Sequence, residues 1–264
     1  MMEVNRINSQ WDYFKMGFHS YFKAIELIFS THLWLYFLFP VFLNVLLFFG
    51  GYAFISGLSE NVFEYITNWI GKGTHSENSW IPVFLYWFVW IVFKILYFLV
   101  FAYFGGYIVL ILLSPVLAFL SEKCEEKITG KVYPFNTDEF VRNIIRGIII
   151  SLRNMLLQTL YSVATFILSF IPVIGFLMPF AMFFIASYFY GFAFLDYNLE
   201  RRKMSISKSV LFMKKRRGLA ISNGFVFSLF MLIPFCGISL AGFAAIVSVV
   251  AGTISVQQSE NQNA

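Results

Sequence analysis

From Leu156 to Phe194 the chain carries no Asp, Glu, Lys, Arg or His. An apolar run of that length is well beyond the roughly 20 residues a helix needs to cross a bilayer. It is punctuated once, by "IPVIG" at Ile171–Gly175, and the same device returns as "IPFCG" at Ile233–Gly237 in a second apolar run. Proline ends a helix and fixes φ, and glycine supplies the φ > 0 that a reversal needs. Pro172 with Gly175 and Pro234 with Gly237 therefore predict two helical hairpins, over 156–194 and 219–256. Their shorter arms reach about 22 Å, against about 30 Å of hydrocarbon. Two geometries fit: full spans with tight outer turns, or hairpins that enter from the cytoplasm and turn back. Irregular backbone at membrane depth survives only under protein or water cover, so a buried tip argues for a homo-oligomer with membrane lipid around it.

Composition leaves little alternative to lipid as the solvent. Of 264 residues, 59% are hydrophobic and 12% charged, whereas a soluble domain averages about 25% charged. The expectation is a single all-α integral membrane domain. Residues 10–31 place Trp11, Phe14, Phe18, Tyr21/Phe22 and Ile25 at helical steps, which predicts an amphipathic helix lying along the cytoplasmic interface. Residues 1–32 hold no short apolar core of a cleavable signal, so insertion is expected to start at a first span over 33–55, with Pro40 kinking it or marking its first turns. A second transmembrane helix is expected over 80–119. A straight helix from Trp80 to Leu120 would be about 60 Å long. It either crosses and projects into the cytoplasm or folds back at Gly105-Gly106, and the charge rule favours the first.

The basic residues set the orientation. Segment 57–79 carries Glu60, Glu64 and Glu77, whereas 120–155 and 195–218 are rich in Lys and Arg. Basic loops mark the cytoplasmic side, so both basic segments and both termini are expected inside the cell, in an inner membrane. Juxtamembrane position explains these clusters through topology and anionic lipid better than through nucleic acid. Cys124 and Cys236 are too few for a disulfide framework and read as free thiols.

Catalytic readings fail. His-Glu-x-x-His, Gly-x-Ser-x-Gly, a phosphate-binding Gly-x-x-x-x-Gly-Lys loop and Gly-x-Gly-x-x-Gly are all absent, and His19, His32 and His75 lack partners at metal-ligand spacing. No enzyme, cofactor or metal is expected. Lys94 stands alone inside an apolar helix, where a charge usually faces a partner or water; it either attracts a permeating dianion or snorkels. His32, beside the belt residue Trp34, either binds an anion at a helix start or is interfacial. Lys214 to Arg217 read as a stop before the second hairpin or as a vestibule that concentrates anions; Arg216 and Arg217 are its candidates for the anion pathway. Asp196 is expected to be structural, capping the next helix or pairing with Arg216 or Arg217. Glu122 is expected to hold the arginines of 142–153.

Three stretches in order carry a resemblance. They are residues 14–47 ("FKMGFHSYFKAIELIFSTHLWLYFLFPVFLNVLL"), residues 114–130 ("SPVLAFLSEKCEEKITG") and residues 194–237, running from Asp196-Tyr197 through the basic segment and Gly224 to the second Ile-Pro corner. Together they resemble the CysZ-like sulfate permeases and the wider etoposide-induced-protein-like family. The resemblance implies long transmembrane helices, two membrane-entering hairpins, oligomers, and uptake of sulfate or a related oxyanion such as sulfite for cysteine synthesis. It also implies that Ser114-Pro115 ends the long apolar helix, with Glu122 following and Thr129-Gly130 closing the segment. One stretch departs: His32-Leu33-Trp34 stands where those permeases carry a Gly-Leu-Arg-like sequence. That departure motivates an alternative, a non-transporting scaffold of the same fold.

Overall fold

Polar side chains that accept from free backbone N–H groups fix where several helices begin. Ser9 Oγ accepts from Asp12 N at the head of α1 (Gln10–Ser30). Asn136 Oδ1 accepts from Asp138 N and Glu139 N at the head of α4 (Thr137–Leu168). Ser205 Oγ accepts from Lys208 N at the head of α6 (Ile206–Lys215). Each supplies an acceptor to an end that otherwise lacks one. Between them lie a 3-10 turn (Leu33–Phe37), α2 (Leu38–Gly71), α3 (Trp80–Thr129), a second 3-10 turn (Gly175–Leu177) and α5 (Met178–Arg201), followed after α6 by α7 (Arg217–Met231) and α8 (Gly237–Asn261). The computed structural model describes residues 9–71, 80–130, 136–233 and 237–262, and its regular structure there is helical throughout. The chain divides into two compact units, Met1–Pro40 with Gly106–Ala264, and Val41–Gly105.

In the larger unit α5 packs against α4, α7 and α8, and α1 packs against α7 and α8. Small residues make the closest of these approaches. A Cβ on Gly191 of α5 would overlap the Ala220 carbonyl oxygen, and one on Gly224 of α7 would overlap that of Ser187. Ser187 and Gly191, and Ala220 and Gly224, are each four apart. This is the small-xxx-small spacing that lets helix backbones meet where burial of apolar surface gives no driving force between helices.

Helix α4 is inverted relative to a helix of a soluble bundle. The buried face of α4 is Gly147, Ile150, Ser151, Asn154, Gln158, Ser162 and Thr165, while Leu156, Leu160, Phe166 and Ile167 face outward. Asn154 Nδ2 donates to the Phe189 carbonyl at 3.1 Å, and the Tyr107 hydroxyl donates to Gln158 Oε1 at 2.7 Å. α1 behaves alike: Gly17, Ser20, Tyr21, Ala24 and Ile28 are buried, and Trp11, Phe18, Phe22, Ile25 and Phe29 are exposed. The Tyr21 hydroxyl donates to the Asn223 carbonyl and lies 2.8 Å from Ser248 Oγ, tying α1 to α7 and α8. Polar inside and apolar outside is what lipid selects. Among the described residues three helices are long and apolar enough to cross a membrane, Tyr103–Thr129, Gly175–Arg201 and Ser239–Asn261. A fourth arises if Gln10–Ser30 and Leu33–Leu46, bent by 100° to each other, count as one broken span.

Several expectations are corrected. α3 does not end at Ser114-Pro115 but runs through it to Thr129, where Gly130 at φ +73 closes it. Pro115 has no N–H for the Ile111 carbonyl, and Ser114 Oγ supplies the missing donor at 2.8 Å, so the helix continues past its proline. Through Gly105-Gly106 α3 is one continuous helix, the alternative that the charge rule favours. Pro40 lies in the first turn of α2, where a missing N–H costs nothing. The basic segments 120–155 and 195–218 are mostly helical, as α3, α4, α5, α6 and α7 extend into them, and 57–79 is helical as far as Gly71.

At the first proline corner the geometry differs from the one expected. α4 stops at Leu168, four residues ahead of Pro172. The left-handed residue there is Val173, at φ +70, and Gly175 does not have a positive φ. Gly175 is needed for space: a Cβ on it would overlap the Ser169 carbonyl oxygen. Pro234 and Cys236 lie outside the described residues, yet the two corners share a bond. Gly175 N donates to the Ile171 carbonyl at 2.8 Å and Gly237 N to the Ile233 carbonyl at 2.9 Å. A Cβ on Gly237 would likewise press on the Phe230 carbonyl oxygen, at 2.7 Å.

Candidate functional site

Two groups of arginines in the larger unit differ in their partners, and the difference locates the site. The first group is neutralised. Arg146 of α4 holds Asp196 of α5 with a two-pronged grip, Nε to Oδ2 at 2.9 Å and Nη2 to Oδ1 at 3.0 Å. Its other donors reach Ser209 Oγ at 2.8 Å and the Met204 carbonyl, and Glu200 Oε2 lies 3.9 Å from Nε. Arg201 Nε donates to Glu125 Oε2 at 2.6 Å, and Arg202 pairs with Glu260. A buried charge needs a partner and satisfied donors. Each pair supplies the counter-charge, Arg146 also has its donors satisfied, and together they tie α3, α4, α5 and α8, with α6 joined through Ser209.

The second group is not neutralised. A cleft of about 600 Å³ opens between α4, α5, α6 and α7, with Arg153, Lys214 and Arg217 among its lining residues and no carboxylate. Arg153 is aimed by its neighbours: Nη1 donates to Asn154 Oδ1 at 3.0 Å, and the guanidinium stands 5.5 Å from the Phe192 ring centroid. Lys214 comes from the last turn of α6 and Arg217 from the first residue of α7, where the partial positive charge of a helix start adds to its own. Tyr161 and Tyr188 bring hydroxyls to walls otherwise built from aliphatic and phenyl groups. Three cations against apolar walls, without a counter-charge, concentrate anions.

The residues singled out from the sequence do not converge. Gln10 Nε2 donates to the Lys215 carbonyl and Gln10 Oε1 accepts from Gly218 N, so Arg216 and Arg217 sit at the first turn of α1. His32, in the left-handed region at φ 61 and followed closely by Trp34, comes just past the other end of α1, about 30 Å away along the helix. Arg217 enters the cleft, but Arg216 lies 4.0 Å above the Phe212 ring and 5.8 Å from that of Tyr13. Lys94 belongs to the smaller unit, exposed, with Nζ 3.5 Å from the centroid of the Trp90 ring.

Two carboxylates have different partners from those expected. Asp196 neither caps α6, which Ser205 does, nor meets Arg216 or Arg217; it meets Arg146. The carboxylate of α3 that holds an arginine is Glu125, one turn beyond Glu122, and its partner is Arg201 rather than any arginine of 142–153. Lys214 belonged to the run read as a possible anion vestibule, whereas Arg153 was visible in the sequence only as a member of a basic tally, and Tyr161 and Tyr188 as two aromatics among many. Arg146 and Arg153 are seven apart on one helix, which puts them on one face, and nothing in that spacing says that one is paired and the other free.

Residues 20–240 match the family described as sulfate transporter CysZ/etoposide-induced protein 2.4. A relative named sulfate transporter CysZ from Vibrio parahaemolyticus serotype O3:K6 is 26% identical over 236 residues, covering 87% of this chain and 89% of the relative. Proteins of the same name from Pectobacterium atrosepticum and Pseudomonas fluorescens are 23% and 24% identical, over 85% and 80% of this chain and 79% and 82% of their own.

Proposed function

The chain belongs to the sulfate transporter CysZ/etoposide-induced protein 2.4 family, and from that premise we propose that it is an inner-membrane permease for sulfate or a related oxyanion such as sulfite, feeding sulfur assimilation. The observation that carries this reading is the cleft in which Arg153, Lys214 and Arg217 stand without a carboxylate. Arg146, Arg201 and Arg202, by contrast, are each paired with a carboxylate. Cations left open on a low-dielectric wall raise the local concentration of a dianion and its rate of arrival. In this reading both termini and the basic helix ends face the cytoplasm. α1 lies along that interface, and the α4–α5 and α7–α8 pairs enter the bilayer as hairpins whose tips are covered by further copies of the chain. Lys94, exposed and held over Trp90, is a separate candidate for contact with the anion, as are His32 and Trp34 just past the end of α1.

The decisive experiment is uptake of radiolabelled sulfate into proteoliposomes. Protein-dependent uptake, competed by sulfite and lowered in Lys94→Ala and in Arg153→Gln/Arg217→Gln, is the expected result. No protein-dependent flux of either anion overturns it. That outcome favours the scaffold reading, which His32-Leu33-Trp34 supports through the absence of an arginine there, and which predicts a stable partner on cross-linking.

A further inference from the structure

The cleft is larger and more apolar than passage of an inorganic oxyanion past its cations needs. Its volume of about 600 Å³ is in the range that holds organic ligands, and an inorganic oxyanion would leave most of it empty. Its charge is also confined to one end. α4 enters the cleft at Arg153 and runs through Leu157 to Tyr161, two turns nearer the α4–α5 corner, about 12 Å along the axis. α5 runs the other way, from Phe184 and Ile185 near the corner down to Phe192, beside which the Arg153 guanidinium stands. Lys214 and Arg217 join Arg153 at the end away from the corner. The α5–α7 crossing fixes that level, since Gly191 meets Ala220 and Gly224 meets Ser187, which sets the start of α7 beside the later turns of α5. At the corner end the walls open onto the apolar exterior: Tyr161 and Phe184 are about half exposed, next to the outward Leu160 and Phe180.

We propose that this cleft is a binding site for one anionic phospholipid. The phosphate diester takes Arg153, Lys214 and Arg217, and the first part of an acyl chain lies along Leu157, Tyr161, Phe184 and Ile185. A trough that is cationic at one end, apolar along its length and open to lipid at the other matches an amphiphile in both parts. Basic pockets between membrane helices take anionic head groups for the same reason. The inference rests on the reading of the cleft as an anion site and is independent of whether the chain transports sulfate.

The test is native mass spectrometry of the purified full chain in mild detergent with dioleoylphosphatidylglycerol, dioleoylphosphatidylcholine, glycerol 3-phosphate or sodium sulfate. One phosphatidylglycerol per chain should be retained, with at least about a tenfold preference over phosphatidylcholine, given three cations at the head group. The preference should vanish in Arg153→Gln/Arg217→Gln and persist in Lys214→Arg. Neither glycerol 3-phosphate nor sulfate at equal concentration should displace the lipid. Equal retention of the two lipids overturns the proposal, as does undiminished preference in the double variant. Displacement by the soluble anions also overturns it, because the tail then contributes nothing, but it leaves the anion site standing. Binding of neither lipid nor soluble anion ends both readings. Should the double variant fail to elute as a monodisperse species, the competition arms on the unaltered protein decide alone.

Discussion

Gly191 of α5 and Gly224 of α7 meet back to back: a Cβ on Gly191 would lie 2.7 Å from the Gly224 nitrogen, and one on Gly224 would lie 2.5 Å from the Gly191 nitrogen. Both contacts are backbone, which cannot rotate out of the way. Gly191→Ala or Gly224→Ala should each cost about 1–3 kcal/mol through overpacking, and Gly191→Leu should abolish the fold. The double alanine variant should cost less than the sum, since the second methyl enters helices already forced apart. Thermal unfolding in detergent, followed by size-exclusion, measures all four; additive losses would show that the two glycines act separately.

The first proline corner predicts an inversion of the usual rule. Val173, a β-branched residue at φ +70, is in a region that costs an L-residue about 1–2 kcal/mol. Gly175, by contrast, has no room for a methyl group. Val173→Gly should leave the thermal midpoint unchanged or higher, and Gly175→Ala should lower it. The opposite order would mean that the reversal is made at the glycine.

The grip of Arg146 on Asp196 is buried on both sides, with side-chain exposures of 12% and 4%. Removing one partner strands a charge, so Asp196→Asn should cost about 3–5 kcal/mol. Replacing both, as Arg146→Met with Asp196→Leu, should recover much of that loss. A double-mutant cycle on detergent melting points checks it: equal costs for the single and double variants would place the damage elsewhere than in the stranded guanidinium.

Uptake should respond to salt in a way that reports the cleft. Exposed charges act over about 10 Å at 0.1 M salt and about 3 Å at 1 M. Sulfate influx at low ionic strength should fall severalfold on Arg153→Gln/Lys214→Gln/Arg217→Gln, and the difference from the unaltered protein should close as inert salt is raised. A salt-independent deficit would mean that these residues position the helices rather than attract the anion.

Depth of the first hairpin is open to chemistry, because Cys124 is fully buried. With Cys236 replaced by Ser, Ile174→Cys should be protected from membrane-impermeant thiol reagents on both faces of sealed vesicles if the tip stops within the bilayer. Labelling from the outer face would make the α4–α5 pair two full spans.

The elements were largely legible in the sequence, and their partners were not. Uncharged runs and three- or four-residue aromatic steps mark α1, α5 and α8 because lipid leaves no other way to satisfy the backbone. The reason assigned to Gly175 was conformational, whereas the structure makes it steric. Ser114-Pro115 looked like a stop because a hydroxyl rotated onto the Ile111 carbonyl is invisible in one dimension. Glu122 and Glu125 differ by one helical turn, and only the position of Arg201 chooses between them. The basic runs hid two populations of arginine, since pairing across fifty residues, as between Arg146 and Asp196, leaves no local trace. The cleft needs four helices at once, and no single segment advertises it.

The inward-facing amides and hydroxyls of α4, Asn154, Gln158, Ser162 and Thr165, constrain how the protein is made as well as how it stands. In water the outward leucines and phenylalanines would collapse on one another and push that stripe to the outside, producing an everted globule in which none of the native helix contacts can form. A chain with this pattern is therefore expected to need lipid or detergent whenever its helices are to find their native contacts.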